Sequence, residues 1–232
     1  MTVDYDHLWR IAWGDMQRFG PVQRHSLKNL FKTVSSLEVH SILDVGCGSG
    51  VTLAAFAACG RYQLAGADSS EVALNLARKT VPSARLFHLD VEREALPEQF
   101  DLVISVQVVE HLLNDMTALS NIVKMARSYV FISTMQGRMR TSEIAIGHVR
   151  NYSEIELRRK LECVGLQVLQ VRAWGFPFYS PIYRSVVELL PGGPPSGPMG
   201  RGAKIAAGVL YQLYRLNWPG HGDVLSVLAR PC

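Results

Sequence analysis

Short apolar, β-branched runs alternate with stretches of helical period along most of this chain. Ile42, Leu43 and Val45 form the first run, the pattern of a strand buried on both faces of a parallel sheet. Further strands are read at 62–67 (YQLAGA), 84–89 (ARLFHL), 100–106 (FDLVISV) and 128–134 (SYVFIST). Two more follow at 166–174 and 223–230. Helix candidates separate them. The one at 71–79 has Ser69 or Ser70 as cap, Glu71 in its first turn and Arg78 and Lys79 in its last, matching the helix dipole. Residues 5–37 also read as helical, with Pro21 suited to a helix start and Val22, Leu27, Leu30, Phe31 and Val34 at helical spacing. Strands alternating with helices predict a doubly wound parallel α/β sheet, which binds its ligand at the carboxyl ends of the strands.

The first of those ends is followed at once by Gly46, Gly48 and Gly50 and then by the helix candidate VTLAAFAA. Glycines there allow positive φ and close backbone approach, and the helix aims its N–H groups at a ligand. A dinucleotide fingerprint needs a third small residue where Val51 stands, and no Gly-Lys-Ser/Thr follows for a phosphate loop. The run Asp44-Val45-Gly46-Cys47-Gly48-Ser49-Gly50 instead resembles motif I of the class I S-adenosylmethionine-dependent methyltransferases. "FDLVIS" followed by "VVEHL" is also what that superfamily places at its fourth strand. The resemblance covers roughly 41–174 and the last strand. It implies a Rossmann-like seven-stranded sheet with an antiparallel last strand, S-adenosylmethionine as cofactor, and methylation of a small molecule.

Site residues are expected at each strand end. The glycine turn, with Asp44 and Cys47, is expected to hold the methionine end of the cofactor. Asp68, with Ser69 beside it, stands where such folds place a ribose-binding carboxylate. The resemblance assigns Asp90 to the adenine amino group and Val91 to packing on the ring. It also puts Ser105 and Gln107 at the cofactor edge and Arg24 near the cofactor's carboxylate.

Two histidines are candidates for proton transfer to or from an acceptor: His111, just past the fourth strand, and His148, on the loop ahead of a helix. Glu110-His111 is similar to the segment of the ubiquinone-pathway O-methyltransferases whose metal site is built on E-x-x-E-H. Gln107 replaces the first carboxylate here, so no metal ligand is assigned. The loop GHVRNYS resembles one that borders the acceptor pocket in small-molecule methyltransferases, and Ser153 with Glu156 reads as a capping box after it.

Composition adds limits. With 232 residues, 48% of them hydrophobic, the chain can bury the core of a single domain. The expected parts are an N-terminal helical lid (1–38), a cofactor core (39–174), a helical insertion (175–222) and the last strand (223–232). Trp9, Trp13 and Phe19 are read first as core staples and second as part of that lid. A net charge of +4 without a basic run does not call for nucleic acid. Four cysteines without a C-x-x-C pair, and no leader-like N-terminus, point to a cytoplasmic protein.

The insertion is too long for a hairpin loop. It holds helix candidates at 181–190 and 202–216, split by PGGPPSGPMG, with Ile205, Val209, Leu213 and Leu216 on one face. Capping of the sheet end and the acceptor pocket is the plainer expectation. Peripheral membrane contact through 181–217 is the other, since Lys204 and Arg215 suit lipid headgroups. The expected activity is methyl transfer to oxygen or carbon of a small, hydrophobic acceptor. Its rivals are a catalytically silent binding module, a methyltransferase acting on a membrane-borne or macromolecular acceptor, and a nicotinamide oxidoreductase, which Val51 disfavours.

Overall fold

The computed structural model describes residues 5–189 and 197–232. The chain opens with α1 (Tyr5–Leu8), a wide π turn (Trp9–Trp13), α2 (Gly14–Phe19) and α3 (Pro21–Val34), Pro21 taking the first helical position as expected. It continues through β1 (Ser41–Val45), α4 (Val51–Ala57), β2 (Gln63–Asp68), α5 (Glu71–Thr80) and β3 (Arg85–His88). Next come β4 (Phe100–Val106), α6 (Asp115–Met125), β5 (Ala126–Met135), α7 (Thr141–Ala145) and α8 (Glu154–Cys163). After β6 (Leu166–Trp174) the chain forms α9 (Arg184–Leu189) and α10 (Arg201–Tyr214), then closes with β7 (Val224–Pro231).

The seven strands lie in the order β3-β2-β1-β4-β5-β7-β6. All run parallel except β7, which pairs antiparallel with both β5 and β6. Side-chain alternation divides the core between two faces. Leu43, Val45, Ala65, Ala67 and Val103 meet α6 and α8 through Leu119, Ile122, Leu157 and Leu161. Ile42, Leu102, Ile104 and Phe131 meet α3, α4 and α5 through Leu30, Val34, Leu53, Phe56 and Leu74. The central strands β1 and β4 are therefore buried along most of their length, whereas the edge strand β6 is exposed or half-buried after Leu166. The order reverses at β1 and β4, which opens a crevice at their carboxyl ends.

The insertion meets half of the plainer expectation: its Tyr179 and Tyr214 pack on Met135 and Val224 at the sheet end, but it does not reach the cavity. Neither α9 nor α10 lines the crevice. Instead α10 packs on α3 with Ala207 and Tyr214 inward, and the Tyr211 carbonyl lies 3.0 Å from the His25 ring nitrogen. Its apolar stripe points outward, with Ile205 69% and Leu216 62% exposed. The small Ala207 and the aromatic Tyr214 make the buried contact, and the branched aliphatics are left outside. The expected end of the first insertion helix at Leu190 and most of the turn-rich stretch, 191–196, lie outside the described residues.

Candidate functional site

A cavity of about 520 Å³ sits over the carboxyl ends of β1, β2, β3 and β4, within the size range of small-molecule sites. The glycine turn forms its floor. The N–H groups of Gly46 and Cys47 both donate to the Ala67 carbonyl, at 2.7 and 3.1 Å, which folds the turn back onto β2. Gly46 has φ +74°, and a Cβ there would lie 2.4 Å from the Val108 side chain. Only glycine fits that close approach. Asp68 completes the turn: its Oδ2 accepts from Gly48 N and its Oδ1 from Ser70 N, each at 2.9 Å. Ser70, one of the two expected caps, accepts from Ala73 N at 3.1 Å.

Most of the expected cofactor residues meet here. Asp44, Gly46, Cys47, Asp68, Ser69, Asp90, Val91 and Gln107 all line the cavity. Four do not. Gly48 lies beneath the Trp9 ring and Gln17, and Gly50 packs its backbone against Ala77 and Val81 of α5. Ser105 is buried inside β4, one residue short of the wall. Arg24 stacks its guanidinium on the Tyr211 ring at 3.7 Å, so α10 draws it away from the cavity. Gln23 and Leu27 of the same helix stand at the wall instead.

The N-terminal helices lie beside the cavity, with Trp9 buried and in its wall, Trp13 also in the wall, and Phe19 outside it. Tyr5, Trp9, Trp13 and Gln17 are part of the lining. Gln17 Oε1 accepts from Ser49 N at 3.2 Å and from Ser49 Oγ at 2.7 Å. Asp6 accepts from Ser70 Oγ and Val72 N, and Tyr5 donates to the His111 carbonyl at 3.2 Å. Asp6 and Gln17 were missed from sequence. The clustered tryptophans hinted at this wall, but isolated polar residues on a short helix carry no motif.

The electrostatics are one-sided. Asp6, Asp44, Asp68, Asp90 and Glu92 line the cavity, and among the described residues no Lys or Arg does. Asp44 is 2% exposed. Burial, and then the nearby Asp68 charge, pushes its carboxyl well above the usual range. Asp68 is likewise raised by burial, partly offset by its two N–H donors. Burial also raises the Cys47 thiol, which is therefore no nucleophile.

At the other end His111 and His148 meet edge to face, ring centroids 4.5 Å apart, and both line the cavity. The loop after β5 reaches this position because His148 N donates to the Glu143 carbonyl and Val149 N to the Glu110 carbonyl, at 3.0 and 2.9 Å. Sequence alone suggested a titration near neutrality. Burial overrides it, lowering His111 to about 3 and His148 to about 4, so both imidazoles are neutral bases at pH 7. Glu110, wholly buried and bonded by Thr134 Oγ1 at 2.8 Å, rises to about 7. Gln107, with φ +58°, is the one non-glycine residue in the left-handed region among those described, a strain typical of functional sites.

The metal implied by E-x-x-E-H was tested against these groups. Glu110, His111 and His148 bring donor atoms within 4.8 Å of one another, and Glu110 Oε1 and both Nδ1 atoms lack partners. Yet two imidazoles and one carboxylate are not the oxygen-rich set of a hard cation. Gln107 offers only an amide. The residues do not fit that site, and no chemical step is derived through a metal.

Residues 42–128 match the family model described as a methyltransferase domain. A ubiquinone biosynthesis O-methyltransferase of Sinorhizobium medicae is 31% identical over 127 residues, 52% of this chain and 51% of that one. The matched region thus spans about half the length of that relative. Two solved structures share the fold. The N-methyltransferase NodS from Bradyrhizobium japonicum, bound to S-adenosyl-L-homocysteine, aligns with a TM-score of 0.60 at 17% identity, covering 93% of this chain and 90% of that one. The [4+2]-cyclase SpnF aligns at 0.64 and 16% identity, covering 96% and 87%. The glycine turn, the sheet order and the matched segment agree: residues 42–128 are similar to a methyltransferase domain, and the fold around them is the one these methyltransferase structures share.

Proposed function

We propose that this protein transfers the methyl group of S-adenosylmethionine to an oxygen or carbon atom of a small, largely apolar molecule. The observation that carries the reading is a cavity lined by Asp6, Asp44, Asp68, Asp90 and Glu92, with Asp44 and Asp68 buried and no Lys or Arg among the described lining residues. Such a wall favours a cationic ligand, and the cofactor carries both a sulfonium and an ammonium. When bound, it supplies an electrophilic methyl group to an in-line displacement.

The chain's own groups position and shield. Asp68 spends one lone pair of each oxygen on Gly48 and Ser70, leaving the others for two ribose hydroxyls. Asp90 and Val91 serve the adenine end, and Gly46 and Cys47 allow close backbone approach at the methionine end. Trp13, Val108, Leu112 and Ile146 line the cavity beside the histidines and exclude water. His148 accepts the acceptor's proton or orients its lone pair. Oxygen is favoured by the named activity of the bacterial relatives.

Calorimetry tests the ligand and separates this reading from a nicotinamide enzyme. S-adenosylmethionine is expected to bind and NAD not to. A bound cation favours the charged form of Asp44 that burial opposes, and Asn has no such form, so Asp44→Asn is expected to weaken binding about tenfold, roughly 1.4 kcal/mol. Absence of binding to the unaltered protein would sink the proposal. Binding without homocysteine release across an acceptor panel would favour a silent module.

A second reading concerns where the acceptor resides. We propose peripheral membrane contact through the outward face of α10, where Ile205, Val209, Leu216 and Trp218 are exposed beside Arg201 and Arg215. No helix among the described residues is long and apolar enough to cross a membrane. The intact protein is expected to co-sediment with anionic vesicles more than with zwitterionic ones, and the triple variant Ile205→Ser, Val209→Ser, Leu216→Ser to remain in the supernatant. Equal behaviour of the two proteins would exclude this face.

A further inference from the structure

We propose that Arg184, on the insertion, is a positioning residue for His148, acting through Glu143 and Asn151. Arg184 opens α9 and is 4% exposed. Its guanidinium donates to Glu143 Oε1 and Asp223 Oδ2, and at 3.2 Å to the Arg138 carbonyl. One fork thus joins the insertion, the start of β7 and the loop after β5. A lysine, a point charge on a flexible stem, cannot bridge the two carboxylates in that way.

Glu143 passes the constraint on. Its Oε2 accepts from Arg140 N at 2.9 Å and from Asn151 Nδ2 at 3.0 Å. Its carbonyl accepts from His148 N at 3.0 Å. Asn151, held in this way, favours the protonated form of the nearby His148 ring, and the Arg184 charge opposes it, while Asn151 Oδ1 and His148 Nδ1 make no other hydrogen bond. Glu143 therefore holds His148 by its backbone carbonyl and fixes Asn151 beside it by its carboxylate. A second tie reinforces the arrangement: Arg140 Nη1 donates to Glu188 Oε2 of α9 at 2.6 Å.

The geometry explains how an insertion that does not reach the cavity still serves it. It fixes the loop that does. The consequence for catalysis rests on His148 meeting the acceptor, whereas the positioning itself can be read without any acceptor.

Long-range ¹H–¹⁵N NMR of the histidine rings provides that readout, with the His148 signals identified by their loss in His148→Gln. Arg184→Lys and Asn151→Ala are both expected to shift and broaden the His148 ring nitrogens. Affinity for S-adenosylmethionine, read by calorimetry, is expected to stay within about twofold, since neither residue lines the cavity. Asn151→Ala leaves the Arg184 ion pairs in place, so it decides the matter if Arg184→Lys does not fold. His148 ring signals unchanged in Asn151→Ala would overturn the proposal. Shifted signals accompanied by unaltered turnover would uphold the positioning and refute the acceptor role of His148.

Discussion

Gly48→Val is expected to lower affinity for S-adenosylmethionine by about 100-fold, roughly 3 kcal/mol, in a protein that still folds. Gly48 has φ +56°, and a Cβ there would lie 2.4 Å from Gln17 Nε2 and 2.5 Å from the Trp9 ring. A β-branched side chain is a strained guest in the left-handed region, at about 1–3 kcal/mol. Two relaxations are open. Rotation of the backbone breaks the 2.9 Å bond from Gly48 N to Asp68 Oδ2 and frees the carboxylate from its ribose-binding pose. Displacement of Trp9 and Gln17 removes the latch on Ser49 and opens the cavity to water. Either route damages the cofactor end without touching the two main cores. Circular dichroism and calorimetry on the same sample check the result. Normal affinity in a folded variant would put the cofactor somewhere else.

His148→Ala is expected to slow turnover by about 10²–10³-fold, the usual worth of a positioned general base, with cofactor affinity nearly unchanged. The pH profile is the sharper signature. With His148 lowered to about 4 by burial, its limb falls near pH 4 rather than near 6.5, and activity is lost below it as the imidazole protonates. The same shifts govern stability. Between about pH 6.5 and 4 the unfolded chain binds protons that the folded imidazoles refuse, so stability declines as pH falls. Glu110, raised to about 7, works in the opposite sense, its contribution being lost as pH rises through 7. His148→Ala should therefore flatten the acid limb of an unfolding curve recorded from pH 7 to 4. An unchanged rate with the true acceptor would remove His148 from the chemistry.

Much of this molecule is legible in its residues one stretch at a time. Ile42, Leu43 and Val45 put apolar side chains on both faces of β1 because the strand is covered on both sides, and that burial leaves its mark on a window of five residues. Gly46 and Asp68 are legible for a related reason: a tight turn after a buried strand and a carboxylate at the next strand's end are local requirements at a predictable spacing. These local signals determine the sheet, its helices and the carboxyl edge where ligands bind.

Other features depend on what a residue meets across space. Arg24 has the composition of a cofactor ligand, but Tyr211, far along the chain, offers it a ring at 3.7 Å. His148 reads as an exposed loop histidine until Glu143 and Glu110 draw its loop into the interior, where desolvation lowers its pKa. The stripe of Ile205, Val209 and Leu216 has the period of a buried face, and only the packing of Ala207 and Tyr214 on α3 turns it outward. Period, spacing and turn chemistry are properties of neighbours in sequence, and these the chain determines by itself. Burial, pairing and the direction a face points are properties of neighbours in space, and only the tertiary structure decides them.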